Sequence, residues 1–137
     1  MMRDRVLLYV EDEDTAVFLL ETALKEAKID VDLYRVSDGE QALSFLYHEN
    51  AYEEAPRPGL VLLDLNLPRK NGLEVLAEMR RNEKLRGIPV IVFTSSSLPA
   101  DMDRSIALGA QRYITKPATF DGFLDAVKTA CSLLPAA

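Results

Sequence analysis

Four short apolar runs in this chain each end abruptly in groups able to handle a metal ion or a phosphate. Val6-Leu7-Leu8-Tyr9-Val10 runs into Glu11-Asp12-Glu13-Asp14, and Leu60-Val61-Leu62-Leu63 runs into Asp64. Pro89-Val90-Ile91-Val92-Phe93 precedes Thr94-Ser95-Ser96-Ser97, and Arg112-Tyr113-Ile114-Thr115 precedes Lys116-Pro117. Carboxylates brought to one spot repel one another unless a cation joins them. A hard divalent ion suits oxygen ligands, and Mg2+ shares its coordination among one or two carboxylates, waters and a phosphate. A lysine and a threonine aimed at the same place suit an anion held by a point charge and a hydroxyl. Residue types alone therefore point to a magnesium-plus-phosphoryl site with an aspartate at its centre. Neither a dinucleotide-binding glycine fingerprint nor a P-loop occurs, so nucleotide binding has no support.

These groups can meet only if the runs lie side by side. Each run is too short for a helix, and the first three are continuously apolar, as in strands buried on both faces. Between them lie stretches of helical period: Val17, Leu20, Leu24 and Ala27, then Ala42, Leu43 and Leu46, then Val75, Leu76 and Met79. A fourth helix is expected from about Pro99, carrying Met102, Ile106 and Ala110. A fifth carries Phe120, Phe123, Leu124, Val127, Cys131 and Leu134, with Pro135 as its stop. Ser37 with Glu40, and Asn71 with Glu74, have capping-box spacing. Val31 to Val36 alternates in part and reads as an edge strand. The acidic stretch from His48 to Gly59 has no clean period and reads as a long connection. Five strands alternating with five helices predict an α/β fold, an open doubly wound parallel sheet covered on both faces. In such sheets the ligand site lies beyond the carboxyl ends of the strands, where four of these ends deliver their polar groups.

Composition narrows the function further. The chain has 137 residues, 48% hydrophobic and 28% charged, with 22 acids against 16 bases. This length suits one domain, read as residues 1–137 with a core of about 5–134, and an acidic balance argues against a nucleic-acid partner. One cysteine excludes an internal disulfide and suits a reducing compartment. The apolar runs are far too short for a membrane span, and the N-terminus lacks a signal-peptide core, so a cytoplasmic location is expected.

Tyr9-Val10-Glu11-Asp12-Glu13, Leu62-Leu63-Asp64-Leu65-Asn66-Leu67-Pro68 with Asn71-Gly72, Val92-Phe93-Thr94-Ser95, and Tyr113-Ile114-Thr115-Lys116-Pro117 occur in that order. Together they resemble the motifs of the response-regulator receiver family, over about Arg5 to Leu134. The resemblance implies a flavodoxin-like (βα)5 three-layer sandwich with strand order 2-1-3-4-5 and no output domain. It implies that Asp64 accepts a phosphoryl group from a sensor histidine kinase or a phosphotransfer protein. Mg2+ would be held by Glu11, Asp12 and Asp64 and by the backbone carbonyl of Asn66, with Asp12 the main carboxylate ligand. Thr94 would bond a phosphoryl oxygen, Lys116 would pair with the phosphoryl group or with free Asp64, and Tyr113 would be the aromatic switch. Ser95 and Ser96 would be positions that tune lifetime, and the Lys116–Pro117 bond would be cis. The output would be an altered surface on helix four, strand five and the last helix, met by a downstream protein or by a second copy in a homodimer. The long connection and the Leu65-to-Gly72 segment resemble regulators that pair with bacterial phytochromes, making a bacteriophytochrome one candidate kinase.

Some polar residues have plainer readings. Glu13 and Asp14 suit a helix N-terminus, His48 reads as a surface histidine, and Cys131 reads as buried packing. Two other functions compete with the receiver. A magnesium-dependent phosphatase or phosphotransferase would need a second acid two residues after its nucleophile, where this chain has Asn66. A degenerate receiver that only binds a partner would not need Asp64, Asp12, Thr94 and Lys116 together.

Overall fold

Alternation along each strand decides which side chains face which helices. In the computed structural model, which describes residues 5–135, strands β1 (Val6–Val10), β2 (Asp32–Val36), β3 (Leu60–Leu63), β4 (Val90–Thr94) and β5 (Arg112–Thr115) form one parallel sheet. Their order is β2-β1-β3-β4-β5. Helices α1 (Asp14–Glu26), α2 (Gly39–Tyr47), α3 (Gly72–Arg81), α4 (Pro99–Ala107) and α5 (Phe120–Cys131) connect them. Leu7, Tyr9, Leu60, Leu62, Ile91 and Phe93 pack with Leu20 and Leu24 of α1 and with Phe123 and Val127 of α5. Their neighbours Leu8, Val10, Val61, Leu63, Val90 and Val92 pack on the other face with α2 and α3. A period of two in the strands thus builds two cores from one sheet, as expected for a flavodoxin-like fold. No helix among the described residues is long and apolar enough to cross a membrane.

The local signals behave unevenly. Asn71 and Glu74 form a true capping box on α3. The expected Ser37–Glu40 box is displaced by one residue. Asp38 is the N-cap of α2, its carboxylate accepts the Gln41 N–H, and the Gln41 side chain accepts the Ser37 N–H. An aspartate caps at least as well as a serine, and Gln41 can return the second bond. The fourth helix also differs: Ala110 lies past its end, and Met102 and Ile106 face outward at 43% and 49% exposure. Its inward side is instead built around buried Ser105, whose hydroxyl donates to the Asp101 carbonyl. The last helix stops at Cys131, before Pro135. The Lys116–Pro117 bond is trans, since no described residue precedes a cis bond. The trans form is the intrinsically preferred one, by about 0.5–1 kcal/mol, and Thr119 caps α5 from it by accepting the Gly122 N–H.

The long connection is anchored in part. It holds a single 3-10 turn at Asn50–Tyr52, and Tyr52 lies 5.4 Å from the Phe45 ring. Arg57 donates to the Lys84 carbonyl at 2.6 Å. Cys131 is buried among α1 and α5 residues, and that burial pushes its thiol up to about 11. At about pH 8 very little thiolate then exists to react. Ellman's reagent should leave the native protein unlabelled and titrate one thiol only after denaturation. Prompt reaction of the native protein would show that this end of α5 opens.

Candidate functional site

Parallel strands place all their carboxyl ends on one edge, so residues far apart in sequence become neighbours. Glu11 follows β1 and is 0% exposed; Asp64 follows β3 and is 3% exposed; Thr94 ends β4 and is fully buried. The Thr94 hydroxyl donates to Asp64 Oδ1 at 2.8 Å, and the Asn66 N–H donates to the same oxygen at 3.2 Å. From the end of β5, the Lys116 ammonium donates to Glu11 Oε1 and reaches Asp64 Oδ2 at 3.4 Å. Asp64 is therefore gripped through one oxygen by a hydroxyl and an amide, and through the other by an ammonium.

Lys116 facing Glu11 is the feature that residue types did not disclose. Lys116 was expected against the phosphoryl group or free Asp64; here it bridges Asp64 and Glu11. A signal existed in the alternation of β1, which turns Glu11 to the same side as Tyr9. The Tyr9 hydroxyl indeed donates to Glu11 Oε1 at 3.3 Å, and the Glu13 N–H donates to Oε2 at 3.1 Å. Burial pushes the Glu11 carboxyl above its ordinary range, and the nearby Asp64 charge adds to the rise. Lys116 and the Glu13 N–H pull the other way. For Lys116, burial alone would lower the value, but Glu11 and Asp64 outweigh it and hold the ammonium above the usual lysine range. Tyr9, buried beside Glu11 and Asp64, is pushed well above an ordinary phenol.

Carboxylate oxygens of Glu11, Asp12 and Glu13 come within 4.8 Å of one another, the first buried and the other two exposed. Three hard oxygen donors at that spacing fit a divalent ion with open positions toward water. Glu13 is the N-cap of α1 as well, without a side-chain cap bond. Arg35 of β2 braces this turn by donating to the Glu11 carbonyl at 2.8 Å and pairing with Asp14 at 2.9 Å. Asn66 is exposed on the loop after β3. Tyr113 is half-buried, with its hydroxyl on the Ser96 carbonyl at 2.8 Å; Ser95 is exposed and Ser96 partly buried. His48 is exposed and far from this edge in the fold, at the end of α2.

The position of Asp64 also depends on a missing side chain. A Cβ on Gly72, the first residue of α3, would lie 2.3 Å from the Asp64 carbonyl oxygen and 2.8 Å from the Leu65 Cα. Alanine ordinarily favours a helix over glycine by about 1 kcal/mol. Here the overlap is with backbone, which cannot swing aside, and overpacking costs about 1–3 kcal/mol. Gly72→Ala should lower the urea midpoint and displace the Asp64 amide signal in NMR spectra. A midpoint equal to or above that of the wild type would show that the loop yields freely.

A parallel sheet in this order, with an aspartate held between a hydroxyl and an ammonium at its carboxyl edge, defines the receiver class of signalling proteins. A family model described as the response regulator receiver domain matches residues 7–128, and the chain belongs to that family. Among its relatives, response regulator Rcp1 of Synechocystis sp. is 45% identical over 112 residues, which span 82% of this chain and 76% of that protein. The crystal structure of the Mn2+-bound form of Rcp1 matches with a TM-score of 0.87 at 40% identity, covering 96% of this chain and 99% of that one. The phosphorylated cyanobacterial phytochrome response regulator RcpA matches at 0.87 and 37% identity, covering 93% and 91%. The bacteriophytochrome response regulator RtBRR matches at 0.82 and 36% identity, covering 98% and 82%. This chain thus resembles the phytochrome-associated regulators in both sequence and fold.

Proposed function

We propose that Asp64 accepts a phosphoryl group from a phosphohistidine of a sensor kinase or phosphotransfer protein, and that the chain then signals through its surface. The observation that carries this reading is the grip on Asp64: a buried carboxylate with Thr94 on one oxygen and Lys116 beside the other. An Asp64 oxygen forms the new bond to phosphorus as the phosphorus–nitrogen bond breaks, and the histidine nitrogen keeps the electron pair. A loose transition state asks mainly for positioning and charge neutralisation. Lys116 supplies charge at the developing equatorial oxygens, and Thr94 a hydroxyl donor. Glu11, Asp12, Asp64 and the Asn66 carbonyl would hold Mg2+, which when bound neutralises further charge on the phosphoryl oxygens. A manganese-bound and a phosphorylated relative support both the ion and the modification.

The likeness to phytochrome response regulators favours a phytochrome as the kinase. For the output, Leu98, Met102 and Ile106 lie along α4 at four-residue spacing, with Leu98 62% exposed. An apolar stripe of this kind, on the helix packed against β5, is a surface for a downstream protein or for a second copy of the chain. Such a role belongs in the cytoplasm, as a signalling protein that takes part in its own phosphotransfer and dephosphorylation.

Incubation with acetyl phosphate and Mg2+ tests the reading. Mass spectrometry should find one added phosphoryl group, stable in acid and labile in alkali, that EDTA prevents. Labelling that survives EDTA undiminished, or that is stable in alkali, would overturn it.

A further inference from the structure

Between β1 and α1 the chain turns while carrying Glu11, Asp12 and Glu13, and it does so without ordinary capping. Glu13, the N-cap of α1, makes no side-chain cap bond. Its N–H donates to Glu11 Oε2, and its own carboxylate lies within 4.8 Å of those of Glu11 and Asp12. The support comes from the neighbouring strand. β2 runs parallel to β1, with Arg35 opposite Tyr9 and Val36 opposite Val10. Alternation puts Arg35 on the side of Leu33, the face covered by α1. From there its Nε–H donates to the Glu11 carbonyl at 2.8 Å, and its Nη1 pairs with Asp14 Oδ1 at 2.9 Å. The two ends of the acidic turn are thus tied to one planar guanidinium.

We infer that Arg35 is a positioning residue for the divalent-ion site, holding the β1–α1 turn in its ion-binding shape before any ion arrives. The inference rests on the proposal that Glu11 and Asp12 are metal ligands and adds the group that orients them. The carbonyl that Arg35 grips belongs to the peptide joining Glu11 to Asp12. Rotation of that peptide would swing one carboxylate relative to the other, so fixing it fixes their relative direction. Neighbouring carboxylates also repel one another when no cation lies between them, and the guanidinium brings opposite charge to the turn. Its fork suits it to both tasks, because Nε and Nη1 donate in fixed directions that a lysine ammonium does not reproduce. Both bonds have ordinary hydrogen-bond lengths. Global stability gains little, since Asp14 is 91% exposed and exposed ion pairs contribute little. The consequence is local: a turn already in shape loses no affinity to being ordered on binding.

A positive charge beside a cation site should by itself weaken that site, so the sign of the effect is the test. Mn2+ affinity of the full chain is read from the electron paramagnetic resonance of the free ion, with urea midpoints alongside. Arg35→Lys keeps the charge and loses the fork; Arg35→Met loses both. Each should bind Mn2+ about tenfold more weakly than the wild type, the usual cost of removing an outer partner of a metal ligand. In metal-free NMR spectra the Asp12 and Glu13 amide signals should be sharp in the wild type and broadened in both variants. Saturating Mg2+ should sharpen them again, because the ion then holds the turn in place of the guanidinium. Were Arg35 only a neighbouring charge, Arg35→Met would bind Mn2+ more tightly and Arg35→Lys as the wild type does; that result overturns the inference. A lowered urea midpoint with unchanged Mn2+ affinity also overturns it, by making Arg35 a prop of β2 alone. If the wild type binds no Mn2+, the metal-site reading itself falls, and the positioning role falls with it.

Discussion

After incubation with acetyl phosphate and Mg2+, Asp64→Asn is expected to keep the mass of unmodified protein. The amide retains the size of the carboxyl and an oxygen that can accept from Thr94, so the fold around β3 is preserved. What it would lose is the nucleophile proposed above: an amide oxygen shares its electrons with nitrogen and bears no charge. The Lys116 ammonium would also lose one of its two anionic partners and lean wholly on Glu11. Other carboxylates stand nearby, at Glu11, Asp12 and Glu13, which makes the experiment informative. Only Asp64 combines burial with a hydroxyl donor on one oxygen and an ammonium beside the other. Labelling that persists in Asp64→Asn would move the acceptor to one of those neighbours. A loss accompanied by unfolding, seen by circular dichroism, would say nothing about the acceptor, but isosteric replacement at a strand end makes a folded variant the expected product.

Lys116→Met should have the second large effect, on both stability and chemistry. Glu11 is wholly buried, and its pairing ammonium is itself mostly buried. Removing one partner of such a pair typically costs about 3–5 kcal/mol, because a charge is left without compensation. The pH dependence gives the cause away. Burial already pushes Glu11 upward against the pull of Lys116, so deleting the lysine pushes it further. A carboxyl raised in the folded state adds stability fully below its unfolded value, and that stability is lost as pH rises through the folded value. The variant's deficit should therefore be smallest in acid and widen as pH climbs between those two values. In the wild type, Lys116 is held above its ordinary range. Its contribution is full below the unfolded lysine value and fades as pH rises through the folded one, so the gap narrows again in alkali. Urea midpoints measured across this range in EDTA would trace both arms. A deficit independent of pH would mean that Lys116 acts by packing alone. Phosphoryl uptake should fall by about 10²–10³, the usual cost of losing one preorganised charge donor.

Much of this edge was legible in the order of residues. An apolar run that stops at a charged residue marks both a buried strand and its end, and Asp64 after Leu60–Leu63 shows this plainly. The capping box at Asn71 and Glu74 is a contact between near neighbours and was equally open to reading. What could not be read depends on contacts across the fold. Lys116 meets Glu11 because β1 and β5 end on the same edge, yet 105 residues separate the two. Helix α4 misled because its apolar residues line the outward side, and helical period alone does not say which side is buried. The Asp38 cap displaced the Ser37 pattern because two adjacent residues were both good caps. The trans bond before Pro117 reflects a small energy difference that no local pattern fixes.

The lysine that bridges Glu11 and Asp64 comes from β5, which lies at the sheet's far border and is the last strand to be synthesised. Contacts of such long sequence separation form late, after the loops between them have been closed. A chain still emerging from the ribosome can pair its first four strands and yet lack the cation its acidic edge requires. The buried acids of this edge are therefore balanced only when the sheet is complete, and a half-made molecule carries Glu11 and Asp64 without their ammonium.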